Sequence, residues 1–200
     1  MAIIDVQYDF LPGGSLPVAG GDAILPVIGR IIGGFDLVVA TQDWHPQDHV
    51  SFASNHPGRK PFEQLDLDGH PQTLWPDHCV QGTRGAELSS GWDTRHVEAV
   101  FRKGTNPAID SYSAFFDNRH LKSTGLADYL RGKGVSDLFV CGLAGDICVY
   151  YSARDALEQG FRVSLIRDAA TPLDAGIFAG CLADLTKLGA RVVESSSLDP

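Results

Sequence analysis

Cys148 lies in Gly142-Leu143-Ala144-Gly145-Asp146-Ile147-Cys148, where small residues permit a tight turn into a helical run. With Asp146 as N-cap, the thiol falls in the first helical turn. Backbone N–H groups and the helix dipole there favour a thiolate, and they can hold an oxyanion developing on a substrate carbonyl. Lys103 ends the run Val97–Lys103 and by period-two alternation shares a face with Ala99 and Phe101. An ammonium beside a thiol lowers the thiol pKa by stabilising its charged form. Asp5 interrupts the apolar run Ala2-Ile3-Ile4-Asp5-Val6. A carboxylate in a buried strand needs partners or a raised pKa, and such a group suits taking a proton from Cys148 and delivering it to a leaving amine. Each residue alone also has an ordinary role: Cys148 as a buried thiol, Lys103 as a surface cation, Asp5 as a cap on the next loop.

A second group has metal-ligand chemistry. Asp43 and His45 are two apart, so in an extended segment both side chains point the same way and can grip one ion. His78 stands in Trp75-Pro76-Asp77-His78-Cys79, where a long polar loop ends and can fold back. His49 is near enough in sequence to be a further ligand or to orient a bound water. Carboxylate plus imidazole suits Zn²⁺, Fe²⁺ or Mn²⁺. The alternative is a set of exposed loop histidines, and Cys79 reads better as a buried apolar thiol than as a ligand. Phe10, Leu16, Trp75 and Tyr112 are large residues outside the periodic stretches. Such residues wall small-molecule pockets or simply pack loops.

The elements that must position these groups alternate in type. Short apolar runs at Ala2–Val6, Leu37–Thr41, Val97–Lys103, Leu138–Gly142, Arg162–Ile166 and Arg191–Val193 read as strands. Gly21–Ile32, Leu126–Arg131, Asp146–Gln159 and Asp174–Leu188 read as helices, with Gly33-Gly34, Gly134 and Gly160 as stops. This β-α-β order predicts an α/β fold: one three-layer α/β/α domain over 1–200 around a mostly parallel six-stranded sheet. The polar stretch at about 43–79 is expected to be a functional loop insertion. In such sheets ligands bind at the carboxyl ends of the strands. Asp5, Asp43, His45, Lys103 and Cys148 all fall there or just beyond.

Composition narrows the class. The 200 residues are 44% hydrophobic and 20% charged, enough for one sizeable core and ordinary for a globular protein. A net charge of −9 argues against nucleic acid as a partner, because phosphate binding needs clustered Lys and Arg. No apolar run approaches the roughly 20 residues of a membrane span. The start, MAIIDVQYDF, lacks the basic opening of a secretory leader, and four cysteines in this length read as reduced thiols rather than a disulfide scaffold. A cytoplasmic enzyme is therefore expected.

The residues in their order resemble the nicotinamidase branch of the isochorismatase-like cysteine hydrolases, over nearly the whole chain. The resemblance is carried by Asp5-Val6-Gln7-Tyr8-Asp9-Phe10, Pro12-Gly13-Gly14-Ser15-Leu16, Thr41-Gln42-Asp43-Trp44-His45-Pro46 and Asp48-His49-Val50-Ser51-Phe52. It continues through Trp75-Pro76-Asp77-His78-Cys79-Val80, Phe101-Arg102-Lys103-Gly104, Asp110-Ser111-Tyr112-Ser113-Ala114-Phe115 and the Gly142–Val149 segment. It implies a catalytic triad of Asp5, Lys103 and Cys148. It implies one divalent ion, zinc first and iron or manganese as alternatives, on Asp43, His45 and His78, with His49 a fourth ligand or its support. It further implies a cis peptide at Leu143-Ala144, an oxyanion hole from the N–H groups of Ala144 and Cys148, and a substrate pocket of Phe10, Leu16, Trp75, Tyr112 and Ile147. The expected reaction is hydrolysis of nicotinamide to nicotinate and ammonia in NAD salvage, through a Cys thioester, with pyrazinamide as a further substrate. A homo-oligomer stays open. Gly145 stands where the family commonly has Thr, and Ile147 where it has a polar or aromatic residue. The rival expectations are an amidase for N-carbamoyl or ureido compounds, which usually lack this metal set, and a non-catalytic binding protein. An isochorismatase typically lacks the nucleophilic Cys.

Overall fold

The computed structural model describes residues 1–67 and 69–198; residues 68, 199 and 200 of the expected 1–200 domain lie outside the described residues. Its strands are β1 (Ala2–Ile4), β2 (Val38–Asp43), β3 (Gln64–Leu67), β4 (His70–Thr73), β5 (Val97–Lys103), β6 (Asp137–Gly142), β7 (Arg162–Ala170) and β8 (Arg191–Val193). Its α-helices are α1 (Ile24–Ile31), α2 (Leu126–Gly132), α3 (Tyr150–Glu158) and α4 (Ala175–Lys187). Six strands form one sheet in the order β5-β2-β1-β6-β7-β8, every pair parallel. Among the described residues, no helix is long and apolar enough to cross a membrane.

A parallel sheet with both faces covered needs apolar side chains on both sides of its strands. Ile3 and Cys141 face the layer that holds Ile24, Ile28 and Ile31 of α1. Ile4, Leu138 and Val140 face the layer of Leu126, Leu130, Ala153, Phe178 and Leu185 from α2, α3 and α4. The three-layer α/β/α fold expected from the strand and helix order is therefore the observed one. The chain runs outward from β1 through β2 to β5, then returns and runs the other way through β6, β7 and β8. The reversal between β1 and β6 opens a crevice above their carboxyl ends.

Several elements differ from expectation. β2 runs on through Gln42 and Asp43, which pair with Arg102 and Lys103 of β5, because the sheet itself satisfies these polar residues. β7 runs on to Ala170, with Arg167 and Asp168 engaged by Glu194 and Ser195. The 43–79 stretch holds the antiparallel hairpin β3–β4, paired only with itself and exposed on half of its strand residues. Its single buried residue is Gln72, and the apolar alternation of Leu65 and Leu67 is too short to announce it.

Candidate active site and metal cradle

Lys103 closes β5 and is buried at 2% exposure, the hub of the site. Its Nζ lies 2.8 Å from Asp5 Oδ2 and 2.7 Å from Asp43 Oδ1, and it donates to the Ser111 carbonyl at 2.9 Å. It also stands 3.5 Å from Cys148 Sγ. Asp5 follows β1 with φ +48° and is fully buried. The Thr41 hydroxyl donates to Asp5 Oδ1 at 2.6 Å and accepts from the Asp5 N–H at 3.1 Å, which fixes the carboxylate. The three residues of the expected triad thus meet at one point, from the ends of three strands.

The electrostatics set their resting state. Burial disfavours a charge on Lys103, but Asp43 and Asp5 outweigh it and raise its pKa well above the ordinary lysine value, so it stays an ammonium. Burial also disfavours ionised Asp43, yet Lys103 and His45 hold its carboxyl well below the usual range. Burial pushes Asp5 up, Lys103 pulls it down and Asp43 pushes it up again; the net direction is upward. For Cys148 the expected lowering by Lys103 is present but loses to burial and to the charges of Asp5 and Asp43, and the thiol is raised well above its ordinary value. Cys148 thus rests as a protonated thiol beside a carboxylate of raised basicity. That arrangement makes proton transfer part of the attack rather than its preliminary.

Cys148 follows a β6 whose end is joined by the expected cis peptide at Leu143-Ala144. The expected helix from Asp146 is split. A wide π-type turn covers Gly145–Val149, and only then does α3 begin. The Ala144 carbonyl accepts from the N–H groups of both Ile147 and Val149, at 3.1 Å each. Asp146 does not cap this turn: its carboxylate faces away, to the N–H groups of Leu173 and Asp174. Gly145 has a visible reason. A Cβ there would stand 3.1 Å from the Phe178 ring, so Phe178 fills the space a larger residue would take.

Asp43 faces two ways. Its Oδ1 meets Lys103, and its Oδ2 lies 3.4 Å from His45 Nε2 and 3.9 Å from His78 Nε2. Asp43, His45 and His78 each present a donor atom within 4.8 Å of the others, and all three are buried. The backbone fixes the imidazoles through their other nitrogens: His45 Nδ1 at 3.0 Å from the Gly104 carbonyl, His78 Nδ1 at 2.7 Å from that of Pro76. Such anchoring aims Nε2 into the cluster, as metal-binding histidines require. His49 Nδ1 lies 2.7 Å from the Ser51 hydroxyl, and its buried Nε2 has no partner among the described residues. Burial first, and His45 next, lower His49 and His78 to about 4. Burial opposes a charge on His45 too, but adjacent Asp43 prevails and raises it. The Asp43 carboxylate and the buried imidazoles of His45 and His78, with the orphaned Nε2 of His49 beside them, make a donor set that fits a divalent ion.

Above these groups, Phe10, Leu16, Trp75, Tyr112 and Ile147 line a small pocket that reaches Cys148 and Ala144, joined by Val18 and Leu173. The Trp75 and Tyr112 rings meet edge to face at 6.3 Å. Thr41, Asp110 and Leu173 were not expected here. Thr41 reads as one more β-branched strand residue. Asp110 lies inside a segment that carries the resemblance, yet its place beside His45 and His49 comes only from the fold. Gln72 donates to Asp110 at 2.9 Å, a use for the otherwise polar hairpin.

With this geometry in view, the chain compares with known proteins as follows. The Isochorismatase domain family matches residues 1–197. The nicotinamidase of Acinetobacter baylyi is 47% identical over 174 residues, covering 87% of this chain and 81% of its own length. The solved nicotinamidase/pyrazinamidase of Acinetobacter baumanii superposes with a TM-score of 0.95 at 43% identity, over 98% of this chain and 96% of that one. The L. infantum PnC1 structure, a complex with nicotinate, gives 0.87 at 41% identity over 98% and 92%. The pyrazinamidase of Pyrococcus horikoshii, in complex with zinc, gives 0.79 at 36% identity over 96% and 97%.

Proposed function

This chain belongs to the isochorismatase family, and within it we infer a nicotinamidase: the protein hydrolyses the carboxamide of nicotinamide to nicotinate and ammonia. The observation that carries the reading is the position of Lys103, whose one ammonium touches Asp5, Cys148 and the metal-facing Asp43 beneath an aromatic pocket.

As nicotinamide enters, Phe10, Trp75 and Tyr112 hold its ring and the carboxamide carbon comes to Cys148. Asp5 takes the thiol proton as sulfur attacks, and the buried Lys103 ammonium compensates the charge shared between them. The carbonyl oxygen becomes an oxyanion received by the N–H groups of Ala144 and Cys148. Asp5 passes its proton to the leaving nitrogen, so ammonia departs and a thioester remains. Water then adds to the thioester with Asp5 again accepting a proton, and collapse restores the Cys148 thiol and frees nicotinate. A divalent ion held by Asp43, His45 and His78, with His49 supplying a fourth donor or steadying it, would add Lewis-acid affinity for the ring nitrogen. Zinc is the ion favoured, from the carboxylate and imidazole donors and the zinc-containing Pyrococcus pyrazinamidase. Pyrazinamide carries the same carboxamide with a ring nitrogen at the same meta position, and fits the same reading. All four cysteines are free, which suits a reducing, cytoplasmic setting.

The test is ammonia release from nicotinamide by purified protein, before and after chelator treatment. Release that falls on chelation and returns with added Zn²⁺ is expected. No release with Zn²⁺, Fe²⁺ or Mn²⁺ restored would overturn the nicotinamidase reading.

A further inference from the structure

Asp146 sits two residues before the nucleophile, is 6% exposed and bonds to nothing in its own turn through its carboxylate. Its two oxygens reach across to the loop after β7. Oδ1 accepts from the Leu173 N–H at 2.8 Å, and Oδ2 accepts from the Asp174 N–H at 2.9 Å. A parallel bond, Gly145 N–H to the Thr171 carbonyl at 2.8 Å, ties the same two segments again. The loop held in this way has two tasks. Leu173 lines the substrate pocket together with Ile147, and Asp174 caps α4 by accepting the Ile177 N–H at 2.8 Å. Leu173 is 37% exposed, so its side chain is only partly packed and its place depends on how the loop backbone is held.

We propose that Asp146 is a positioning residue for substrate: by gripping two consecutive N–H groups it sets the distance between the Cys148 turn and the apolar wall carrying Leu173, and so sets how the pyridine ring seats over the nucleophile. The proposal rests on the nicotinamidase reading of the pocket. The chemistry requires a carboxylate. Two adjacent N–H donors pointing at one group need two acceptor oxygens on a short arm, which Asp supplies. Asn keeps the shape but presents one N–H₂ to one of those donors, and Ala presents nothing. The connection runs from Asp146 through Leu173 to the ring. Its loss therefore acts first on the pocket wall, while the proton-handling pair Asp5 and Lys103 stays held by each other and by Thr41.

The experiment compares four enzymes, all with the metal site loaded with Zn²⁺: wild type, Asp146→Asn, Leu173→Ala and the double variant. In the wild-type background D146N should raise KM for nicotinamide about tenfold, the order expected for losing one charge-assisted hydrogen bond, while kcat changes by less than about threefold. In the L173A background the same substitution should raise KM by less than about threefold, because the side chain it would misplace is gone. A merely structural role would give the same factor in both backgrounds, and that result overturns the proposal, as does a fall in kcat with KM unchanged. A measurement on the wild type alone covers a variant that does not fold. The Leu173 and Asp174 amides should exchange with solvent deuterium as slowly as amides inside α3; exchange at open-loop rates overturns the proposal too. Wild-type ammonia release separates the two failures: if it is absent the nicotinamidase reading falls, and if it is present with equal KM factors only the Asp146 role falls.

Discussion

At the scale of single residues, the site works by placing groups whose preferences conflict. A neutral thiol, a carboxylate of raised pKa and a fixed ammonium share one buried point. Cys148→Ala should abolish nicotinamide turnover while the circular dichroism spectrum and melting temperature stay near wild type, since Ala fills most of the space of a small buried thiol. Measurable turnover in that variant would remove Cys148 from the nucleophile role. The imidazoles give a pH prediction for protein stripped of metal. Unfolded, His49 and His78 bind a proton near 6.5; folded, only near 4. Between those values the unfolded chain holds more protons, so stability falls as pH drops from 6.5 towards 4. His45, raised by Asp43, and Asp5, raised by burial, work in the opposite direction, so the contribution of the lowered imidazoles is read as a difference between proteins. On going from pH 7 to pH 5, the urea midpoint of chelator-treated wild type should change less favourably than that of His78→Gln; an equal change in both would remove His78 from the linkage. The reactive residues were legible in the sequence because unusual types stood at the ends of apolar runs. Thr41 was not, because a Thr in a Val-rich strand is ordinary until its hydroxyl is seen to bond Asp5.

At the scale of elements, the strand ends place the groups and the turns after them set their direction. Gly104 follows β5 at φ +64°, and a Cβ there would lie 2.3 Å from His45 Cε1. Gly104→Ala should both strain the backbone, by about 1–3 kcal/mol, and push the His45 ring off its carbonyl anchor. The expected result is a lower melting temperature together with loss of bound Zn²⁺ by elemental analysis; full metal retention would show that the ring has room to move. Periodicity located the sheet strands and all four helices, since each buries an apolar face. It missed the β3–β4 hairpin, which has almost nothing buried to reveal it. It also misassigned Asp146, because an Asp before a helical run reads as its cap, and the N–H groups it serves lie 27 and 28 residues further along the chain.

At the scale of the whole molecule, the alternation of strands and helices implied a parallel sheet with its site at the carboxyl edge, but not the strand order. The order depends on which way each crossover steps, and periodicity carries no information on that. It has a consequence in time. β1 lies at the centre of the sheet, with Ala2 opposite Val39 on one side and Val140 on the other. On a ribosome adding roughly 5–20 residues per second, β1 emerges first, yet its second edge waits on the order of ten seconds for β6. Until then an apolar strand with one row of unpaired backbone groups is open to any other nascent or unfolded chain. That edge therefore needs a shield during synthesis, a demand that the finished structure, with β1 enclosed on both sides, no longer displays.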